Sequence, residues 1–491
     1  MSFSPLVQAL VPAPDPVRCC ERLEGLPYRL FLDSAKRDSR LGRYSFLTAD
    51  PVAVVRSRGP RMEWVDPATG VRRPVAGDPL AAIRGFLAPY AQAAEPDLPP
   101  FQGGAAGFLS YDWGLELERL PAPLYDDLAL DDVVLGVFDW VLAWDHVVSK
   151  AWLISTGMPE TQPAGRSRRA AARAADVLRR LSPSHVPPRT RPAADAVPHA
   201  LQTVGSHPVE GWWDSRVALR SSFTRDGYLD AVERVREYIF AGDIFQANLS
   251  QRFEAPLVGP AWALYCRLRE SSPAPFAAFV DFPDAVVLSA SPERFLRVDA
   301  VGGVETRPIK GTRPRGVGPE HDAALGQALV ESPKDRAENL MIVDLMRNDL
   351  SRVCAPGSVR VAELFALEQY ATVHHLVSTI VGRLAPGADA LDLLRAAFPG
   401  GSITGAPKLR AMEIIAEIER RRRGVYCGSI GYWSLSGELD TSVAIRTAVT
   451  CAGRVYFSAG GGIVADSDPA EEYQETLDKA RGLIAALAVP Q

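Results

Sequence analysis

The chain has 491 residues, of which 47% are hydrophobic and 23% are charged, and its formal net charge is -5. This length exceeds one ordinary core and predicts two or three domains, or one large intertwined domain. The mild charge and the lack of a basic stripe interleaved with aromatic residues argue against a nucleic-acid partner. No apolar run reaches the roughly 18 residues of a membrane helix, and the first residues do not resemble a signal peptide. We therefore expect a cytoplasmic protein that binds no membrane.

The first part of the chain, residues 1–156, alternates short apolar runs with Gly and Pro, which is typical of antiparallel strands with few helices. Tyr28–Leu32, Val52–Val55 and Val133–Phe138 are examples of such runs. Residues 157–208 have a different composition, with a basic Ala/Arg helix predicted near Gly165–Leu181 and several prolines after it. Such a segment has little to bury, so the interval is predicted to be a linker.

The remaining part, residues 209–491, has denser helix and strand signals. Thr224 can cap a helix that ends near Gly242, and a strand-like run from Asp243 to Ser250 follows. Three strands are predicted between Tyr426 and Ala459, followed directly by the three glycines Gly460–Gly462. The other predicted helices cover Pro333–Asn348, begin at Pro407 and end before Gly424, and extend from about Pro469 to Leu487.

The segment Thr306–Arg313 contains a candidate nucleophile, Lys310. Its amine is presented between a stiff Pro-Ile pair and a glycine that allows a sharp turn. To act as a nucleophile, Lys310 must lose its proton below the usual pKa of about 10.4, through burial or through neighbouring cations. Arg307, Arg313 and Arg315 are candidate cations. The alternative is a surface turn with a solvated lysine.

A predicted helix near the end of the chain carries Glu472, Glu475 and Lys479 on one face. Together with Glu338 of another helix, the two carboxylates could form an all-oxygen site of the kind that suits Mg²⁺. A plain surface ion pair would give the same pattern, and the sequence does not show that the two helices meet.

Anion-binding groups are also predicted in this part of the chain. Gly460–Gly462 could offer free backbone N–H groups, and Arg446 could form a bidentate pair with a carboxylate. Arg446 could equally lie on the polar face of a strand. His374 and His375 precede an apolar strand and could titrate near neutral pH, or be structural histidines that bond to the backbone.

Six long runs between about Asp243 and Lys479 resemble the chorismate-utilising enzymes of the anthranilate synthase component I family. These runs are Ser291–Phe295, Arg307–Thr312, Glu338–Asp349, His374–Thr379, Pro399–Lys408 and Ser458–Ser467. Leu32–Ser34, Leu41–Ser45 and Pro100–Gly104 are similar to the first part of the same family. The resemblance thus covers nearly all of the chain except the linker, and it implies an α+β fold of packed antiparallel β-sheets with helices on the outside.

The resemblance also implies roles for individual residues. Glu338 and Glu475 would hold Mg²⁺, with Glu472 and Asp335 nearby. Glu293 would be the general acid for departure of the 4-hydroxyl of chorismate, and His375 would lie beside the reacting ring. The residues implied to bind substrate are Gly311, Thr312, Thr404, Tyr432, Arg446, Gly461, Gly462 and Lys479.

Two positions separate the members of this family. Isochorismate and salicylate synthases have a water-activating lysine where this chain has Gln246, and anthranilate synthases usually have alanine where it has Lys310. The resemblance therefore implies amination of chorismate to 4-amino-4-deoxychorismate through a covalent Lys310 intermediate, on the route to 4-aminobenzoate and folate. The alternative activity is that of anthranilate synthase component I, which releases anthranilate and pyruvate.

The source of ammonia is expected to be a separate subunit. None of the cysteines at positions 19, 20, 266, 354, 427 and 451 lies in a glycine-flanked nucleophile turn, so the chain has no candidate glutaminase. A glutamine amidotransferase subunit, component II in the family, would then supply the ammonia. A non-catalytic module that binds chorismate or tryptophan is the alternative of another class. Ser34 lies in the run that matches the family's tryptophan pocket, but Asp33 stands where feedback-inhibited members usually have Glu.

Overall fold

The computed structural model describes residues 4–182, 206–209, 211, 217–370 and 373–488. Its helices are α1 Pro16–Arg22, α2 Pro79–Leu87, α3 Trp113–Glu118, α4 Pro163–Leu181, α5 Arg225–Phe240, α6 Ala261–Ser271, α7 Pro319–Glu331, α8 Pro333–Ser351, α9 Ala390–Ala397, α10 Lys408–Glu419 and α11 Pro469–Leu487. Its strands are β1 Leu6–Leu10, β2 Arg29–Asp33, β3 Tyr44–Thr48, β4 Ala53–Arg58, β5 Arg61–Val65, β6 Arg72–Val75, β7 Gly104–Leu109, β8 Val133–Phe138, β9 Trp140–Asp145, β10 Lys150–Ser155, β11 His207–Pro208, β12 Arg220–Ser221, β13 Gln246–Pro256, β14 Phe276–Asp281, β15 Val286–Ser291, β16 Arg294–Val298, β17 Gly303–Thr306, β18 Ile309–Pro314, β19 Arg360–Gln369, β20 Val373–Arg383, β21 Gly405–Ala406, β22 Ser429–Ser434, β23 Leu439–Val443, β24 Thr447–Cys451 and β25 Arg454–Ile463.

The strands form two large antiparallel sheets. The first has the order β1-β10-β9-β3-β2-β14-β15-β24-β25-β13-β12-β11, with β21 beside β13. The second has the order β18-β20-β17-β16-β23-β22-β7-β8-β4-β5-β6, with β19 beside β20. Apolar side chains from both sheets meet in one buried cluster that includes Leu30, Phe46, Phe108, Val287 and Ile430. The predicted fold class, α+β with packed antiparallel sheets, is confirmed.

Both sheets take strands from both ends of the sequence. In the first sheet β2 pairs with β14, and in the second β7 pairs with β22. The predicted parts 1–156 and 209–491 are thus joined by backbone hydrogen bonds in each sheet. Where a functional boundary lies between them stays a prediction.

The predicted helices follow their sequence signals. Thr224 accepts a hydrogen bond from Gly227 N and caps α5, and Ser332 caps α8 by accepting from Asp335 N. Helix α8 packs on β18 and β20, α10 packs on β13, and α11 packs on β25. These contacts bring residues of α8 and α11 to the ends of strands from the two sheets, where the candidate site lies.

Two expectations are wrong. Helix α4 is not a linker with little to bury, because Ala174 and Val177 enter the core and Arg173 pairs with Asp50 at 2.5 Å. The remainder of the predicted linker, residues 183–205, lies outside the described residues. The second correction concerns the region from Tyr426 onward, which has four strands rather than three. The predicted middle strand is interrupted between β23 and β24, where Arg446 has a φ of 50°.

Candidate active site

Two glycines of β25 leave room for charged side chains on the two faces of the strand. Gly461 and Gly462 point to opposite faces of the strand, as successive strand residues do. A Cβ on Gly461 would stand 2.8 Å from Glu472 Oε2. A Cβ on Gly462 would stand 1.7 Å from Gln246 Nε2 and 3.3 Å from Lys310 Nζ. A larger residue at either position would therefore collide with these side chains, and the glycines allow both groups to lie against the strand.

The sequence predicts that the glycine run Gly460–Gly462 follows a strand. In the structure the run lies inside β25. Gly460 and Gly462 pair with Ser250 and Asn248 of β13. On the other edge, β24 stops at its pairing with Phe457, so it does not cover the glycines. Gly460 O accepts from Lys479 Nζ at 2.9 Å, and anion binding by the backbone of this glycine run stays a prediction. The space between these glycines, Lys310 and α11 is called the pocket.

Three carboxylates face the pocket from two helices. Glu338 lies on α8, and Glu472 and Glu475 lie on α11. Burial, together with the charge of Glu475, raises the pKa of Glu472 to about 7, against a hydrogen bond of 2.7 Å from Ser467 Oγ. Burial also raises the pKa of Glu338, although the charge of Lys310 opposes the shift. Desolvation is thus the main reason that Glu472 and Glu338 hold a proton more tightly than usual.

The metal site predicted at these carboxylates stays a prediction. Among the residues that the structure describes, no group of three or more His, Cys, Asp or Glu side chains is arranged to hold a metal by itself. Glu475 pairs with Lys479 at 2.5 Å, and this contact lowers the pKa of Glu475. Mg²⁺ is often held by one or two carboxylates, several waters and a substrate anion. Glu338, Glu472 and Glu475 suit such a site, which substrate would complete.

A β-bulge directs Lys310 into the pocket. The pairing of β18 with β20 shifts register between Ile309 and Thr312, so Lys310 and Gly311 lie in the irregular stretch. Gly311 has φ of 82°, which favours glycine. Because a bulge re-aims the side chains beside it, the amine of Lys310 reaches Gly462 of the other sheet. The sharp turn predicted at Gly311 is confirmed.

Burial lowers the pKa of Lys310, and the positive charge of Lys479 acts in the same direction, whereas the charge of Glu338 opposes it. The predicted arginines are not the cause, since each is paired with a carboxylate. The pairs are Arg307 with Glu368, Arg313 with Asp335 and Arg315 with Asp322. Desolvation is thus the main cause of the lowered pKa of Lys310.

Glu293 is a buried acid on the same side of the pocket. It lies between β15 and β16 and is 3% exposed. Burial raises its pKa to about 7, although Ser402 Oγ donates to its Oε1 at 2.6 Å and the charge of Lys310 favours the anion. A carboxyl group with this pKa is partly protonated at neutral pH and can donate a proton.

His375 is held as a neutral imidazole. Its Nε2 is 3.4 Å from Arg446 Nη2, and a guanidinium can only donate, so Nε2 is the acceptor. The proton therefore lies on Nδ1, which is 3.0 Å from Thr312 Oγ1. Burial and the charge of Arg446 hold the pKa of His375 well below its usual value. His374 points elsewhere and bonds to Asp322 at 2.8 Å.

The comparison with protein families agrees with this geometry. The profile described as chorismate binding enzyme matches residues 29–485. The chain belongs to the chorismate-binding enzyme family. Within it, the chain is 43% identical to aminodeoxychorismate synthase component 1 of Salmonella typhimurium, over 94% of this chain and 93% of that protein.

Two further relatives are named as anthranilate synthases and not as aminodeoxychorismate synthases. The chain is 39% identical to anthranilate synthase component 1 of Pseudomonas aeruginosa, over 96% of this chain and 92% of that protein. The crystal structure of anthranilate synthase component I from Streptococcus pneumoniae matches with a TM-score of 0.73 and 32% identity, covering 91% of this chain and 93% of that one. The fold is thus that of the family throughout the two sheets.

Tyr432 is one of the residues predicted to bind substrate, but its side chain does not face the site. Its ring stacks on Phe101 at 4.7 Å and packs against Phe46 at 5.3 Å, in the core between the sheets. The charges with the largest effect on its hydroxyl are those of Asp440 and Glu438. The predicted contact of Tyr432 with a substrate carboxylate is therefore wrong, because the side chain is used for packing.

Thr404 is fully buried, and its hydroxyl donates to Gly400 O at 3.1 Å. Its own carbonyl accepts from Asn248 N at 2.7 Å, so Thr404 joins the turn before β21 to β13. This position agrees with a part in shaping the pocket rather than with a hydroxyl that binds substrate, and that part stays a prediction.

The candidate tryptophan pocket lies at the end of β2 and shares no residue with the candidate active site. Ser34 Oγ donates to Tyr44 O at 2.5 Å. Asp33 accepts from Tyr265 at 3.1 Å and pairs with Arg269 at 2.5 Å. Both polar groups have protein partners, and whether tryptophan binds at Ser34 stays a prediction.

The sequence did not single out Ser402 and Ser467, which hold the two acids Glu293 and Glu472. Both serines lie in the family runs, but serine is common in turns and gives no signal of its own.

No helix among the described residues is long and apolar enough to cross a membrane.

Proposed function

We propose that this chain aminates chorismate to 4-amino-4-deoxychorismate. The observation that carries the proposal is the amine of Lys310, which the bulge at Gly311 places beside Gly462. Anthranilate formation needs no nucleophile from the protein at this position, whereas amination through a covalent intermediate does. The relative with the highest identity quoted above also has the component name of aminodeoxychorismate synthase.

The chemistry requires Lys310 neutral and Glu293 protonated. The amine of Lys310 attacks C2 of chorismate, both ring double bonds shift, and the 4-hydroxyl leaves as water with the proton of Glu293. Ammonia then attacks C4, both double bonds shift back, and the C2–N bond breaks so that Lys310 leaves as a neutral amine. The lowered pKa of Lys310 and the raised pKa of Glu293 both favour the required forms near neutral pH.

Chorismate is a dianion and needs cationic partners. Arg446 and Lys479 would bind its carboxylates, and β24 leaves the glycines Gly461 and Gly462 uncovered for its approach. Glu338, Glu475 and Glu472 would hold Mg²⁺, which when bound would neutralise the ring carboxylate and stabilise the departing charge. His375, neutral and held by Thr312 and Arg446, would lie beside the ring.

Ammonia would come from a separate glutamine amidotransferase subunit. All six cysteines have a raised pKa through burial, so none forms the thiolate that a glutaminase needs. For Cys427, burial raises the pKa to about 12. The purified chain should therefore use ammonium salts but not glutamine, until a component II is added.

The product decides between the two candidate activities. The chain would be incubated with chorismate, Mg²⁺ and ammonium, and the products separated by chromatography. We expect 4-amino-4-deoxychorismate without pyruvate. Anthranilate released with an equal amount of pyruvate would overturn the proposal and favour anthranilate synthase component I, the name of the relative that is 39% identical.

A further inference from the structure

Tyr370 packs against the ring of His375. Its side chain is 5% exposed, and its ring meets that of His375 edge-on, with centroids 5.1 Å apart and an angle of 70°. Tyr370 lies at the end of β19 and donates its backbone N–H to Val373 O at 2.8 Å. Thr312, Arg446 and Tyr370 therefore contact His375 from three directions.

Tyr370 is in turn contacted from the first part of the chain. Lys36 follows β2, and its ammonium lies 3.5 Å from the centroid of the Tyr370 ring. The same ammonium donates to Gln369 O at 2.9 Å, and the backbone N–H of Lys36 donates to Ala274 O at 3.0 Å. A cation over an aromatic face is attractive, and more so where it is partly desolvated.

Other contacts fix the same turn without touching His375. Tyr370 Oη donates to Glu368 Oε2 at 3.2 Å, and Arg315 donates to Tyr370 O at 2.9 Å. Glu368 also pairs with Arg307. These bonds hold the backbone and the hydroxyl of Tyr370, whereas Lys36 and His375 contact its ring.

We propose that Tyr370, held by Lys36, is a positioning residue for His375. A half-turn of the imidazole would put Cδ2 and Cε1 in the places of Nδ1 and Nε2 and break its contacts with Thr312 and Arg446. The ring of Tyr370 occupies the space into which the imidazole would turn, because the two rings are already in contact. The inference rests on the proposed function in that His375 lies beside the reacting ring there. It also gives the first part of the chain a direct effect on the site.

The test is a double-mutant cycle on kcat. Tyr370→Leu should lower kcat about 10-fold with a change in KM for chorismate of less than about 2-fold, because orientation and not binding is lost. In a His375→Asn background the same substitution should have no further effect, since Tyr370 acts through His375. Tyr370→Phe, which keeps the ring, should retain at least about half of the activity, and Lys36→Met should lower kcat about 3-fold.

Matched controls separate positioning from stability. Tyr28→Leu removes a buried ring that packs on Phe282 at 5.2 Å, and Lys150→Met removes an exposed lysine of the same part of the chain. Both should leave kcat unchanged at temperatures below their Tm. An equal loss from Tyr370→Leu with and without His375, or wild-type kcat for Tyr370→Leu, would overturn the inference. The wild-type product is identified first, so an anthranilate product would contradict the proposed function while the cycle still tests Tyr370.

Discussion

The wall of the pocket made by helices and the wall made by strands contain acids of similar pKa, but the two acids have different neighbours. The helix wall consists of Glu338, Glu472, Glu475 and Lys479, and the strand wall of Glu293, Lys310, His375 and Arg446. Burial raises the pKa of both Glu472 and Glu293 to about 7. The next cause for Glu472 is the negative charge of Glu475, whereas the neighbours of Glu293 are hydrogen-bond donors and cations.

The difference indicates what completes each wall. A cation between the carboxylates would remove the repulsion between Glu472 and Glu475 and lower the pKa of Glu472. Glu293 has no such carboxylate partner, so a metal between the helices would lower its pKa less than that of Glu472. The helix wall is thus suited to binding an ion and the strand wall to transferring a proton and forming a bond to Lys310.

The largest effect is expected from the helix wall. Glu338→Gln or Glu475→Gln should lower kcat/KM by about 100-fold to 1000-fold, because a metal site loses affinity and geometry with one ligand. Initial rates over a Mg²⁺ series measure the loss. Glu471→Gln, an exposed neighbour on α11, is the matched control and should behave as the unmodified chain. Near-normal turnover of either ligand variant would remove that residue from the metal site.

On the strand wall, Glu293→Gln should lower kcat/KM about 100-fold, within the range typical of a lost general acid. Glu293 must be protonated to act, and its pKa is about 7. The activity of the unmodified chain should therefore fall as the pH rises through about 7, and the variant should lack this fall. If the fall disappeared at saturating Mg²⁺, it would belong to Glu472 and the comparison of the walls would fail.

The residues that the sequence located are those in contiguous motifs. Lys310, Gly311 and Glu293 lie in short runs that match the family, so the resemblance could place them in the site. The side chain of Tyr432 could not be placed, because alternation along a strand does not tell which face meets the site and which meets the aromatic core.

Other features depend on contacts between distant parts of the chain. Lys36 and Tyr370 are far apart in sequence and meet only because β2 and β19 lie in facing sheets. The alanine face of α4 gives a weak hydrophobic signal, yet Ala170 and Ala174 are small enough to lie close to the core. The positive φ of Arg446 has no sequence signal, because arginine rarely adopts it.

A smaller effect is expected from the orientation of His375. Thr312→Val keeps the shape of the side chain and removes the hydroxyl that lies 3.0 Å from Nδ1. The imidazole would then lose its contact with the Thr312 hydroxyl, and kcat should fall about 5-fold to 10-fold, in keeping with a single neutral hydrogen bond. Thr312→Ser is the matched control, since it keeps the hydroxyl. An unchanged kcat in Thr312→Val would show that this bond does not orient His375.

The smallest effect is one of stability. The pKa of Glu472 is about 7 in the folded chain against an ordinary value of 4.5, so the folded state binds this proton more tightly. The free energy of unfolding should therefore fall as the pH rises from 4.5 through 7. Glu472→Gln should reduce that fall by up to about 3 kcal/mol, measured as Tm against pH. Mg²⁺ at pH 8 should raise the Tm of the unmodified chain more than that of the variant. An equal rise in Tm for the unmodified chain and for Glu472→Gln would show that Glu472 does not bind the metal.

The most direct test of the account is the mass of the peptide that contains Lys310. The chain would be mixed with chorismate and Mg²⁺ without ammonia, quenched within a range of times, digested and analysed by mass spectrometry. We predict a substrate-derived mass on the peptide with Thr306–Arg313, which is lost on addition of ammonium and absent from Lys310→Ala, whose formation of 4-amino-4-deoxychorismate should fall at least about 1000-fold. Turnover to 4-amino-4-deoxychorismate by Lys310→Ala at the rate of the unmodified chain, with no adduct in either protein, would contradict it.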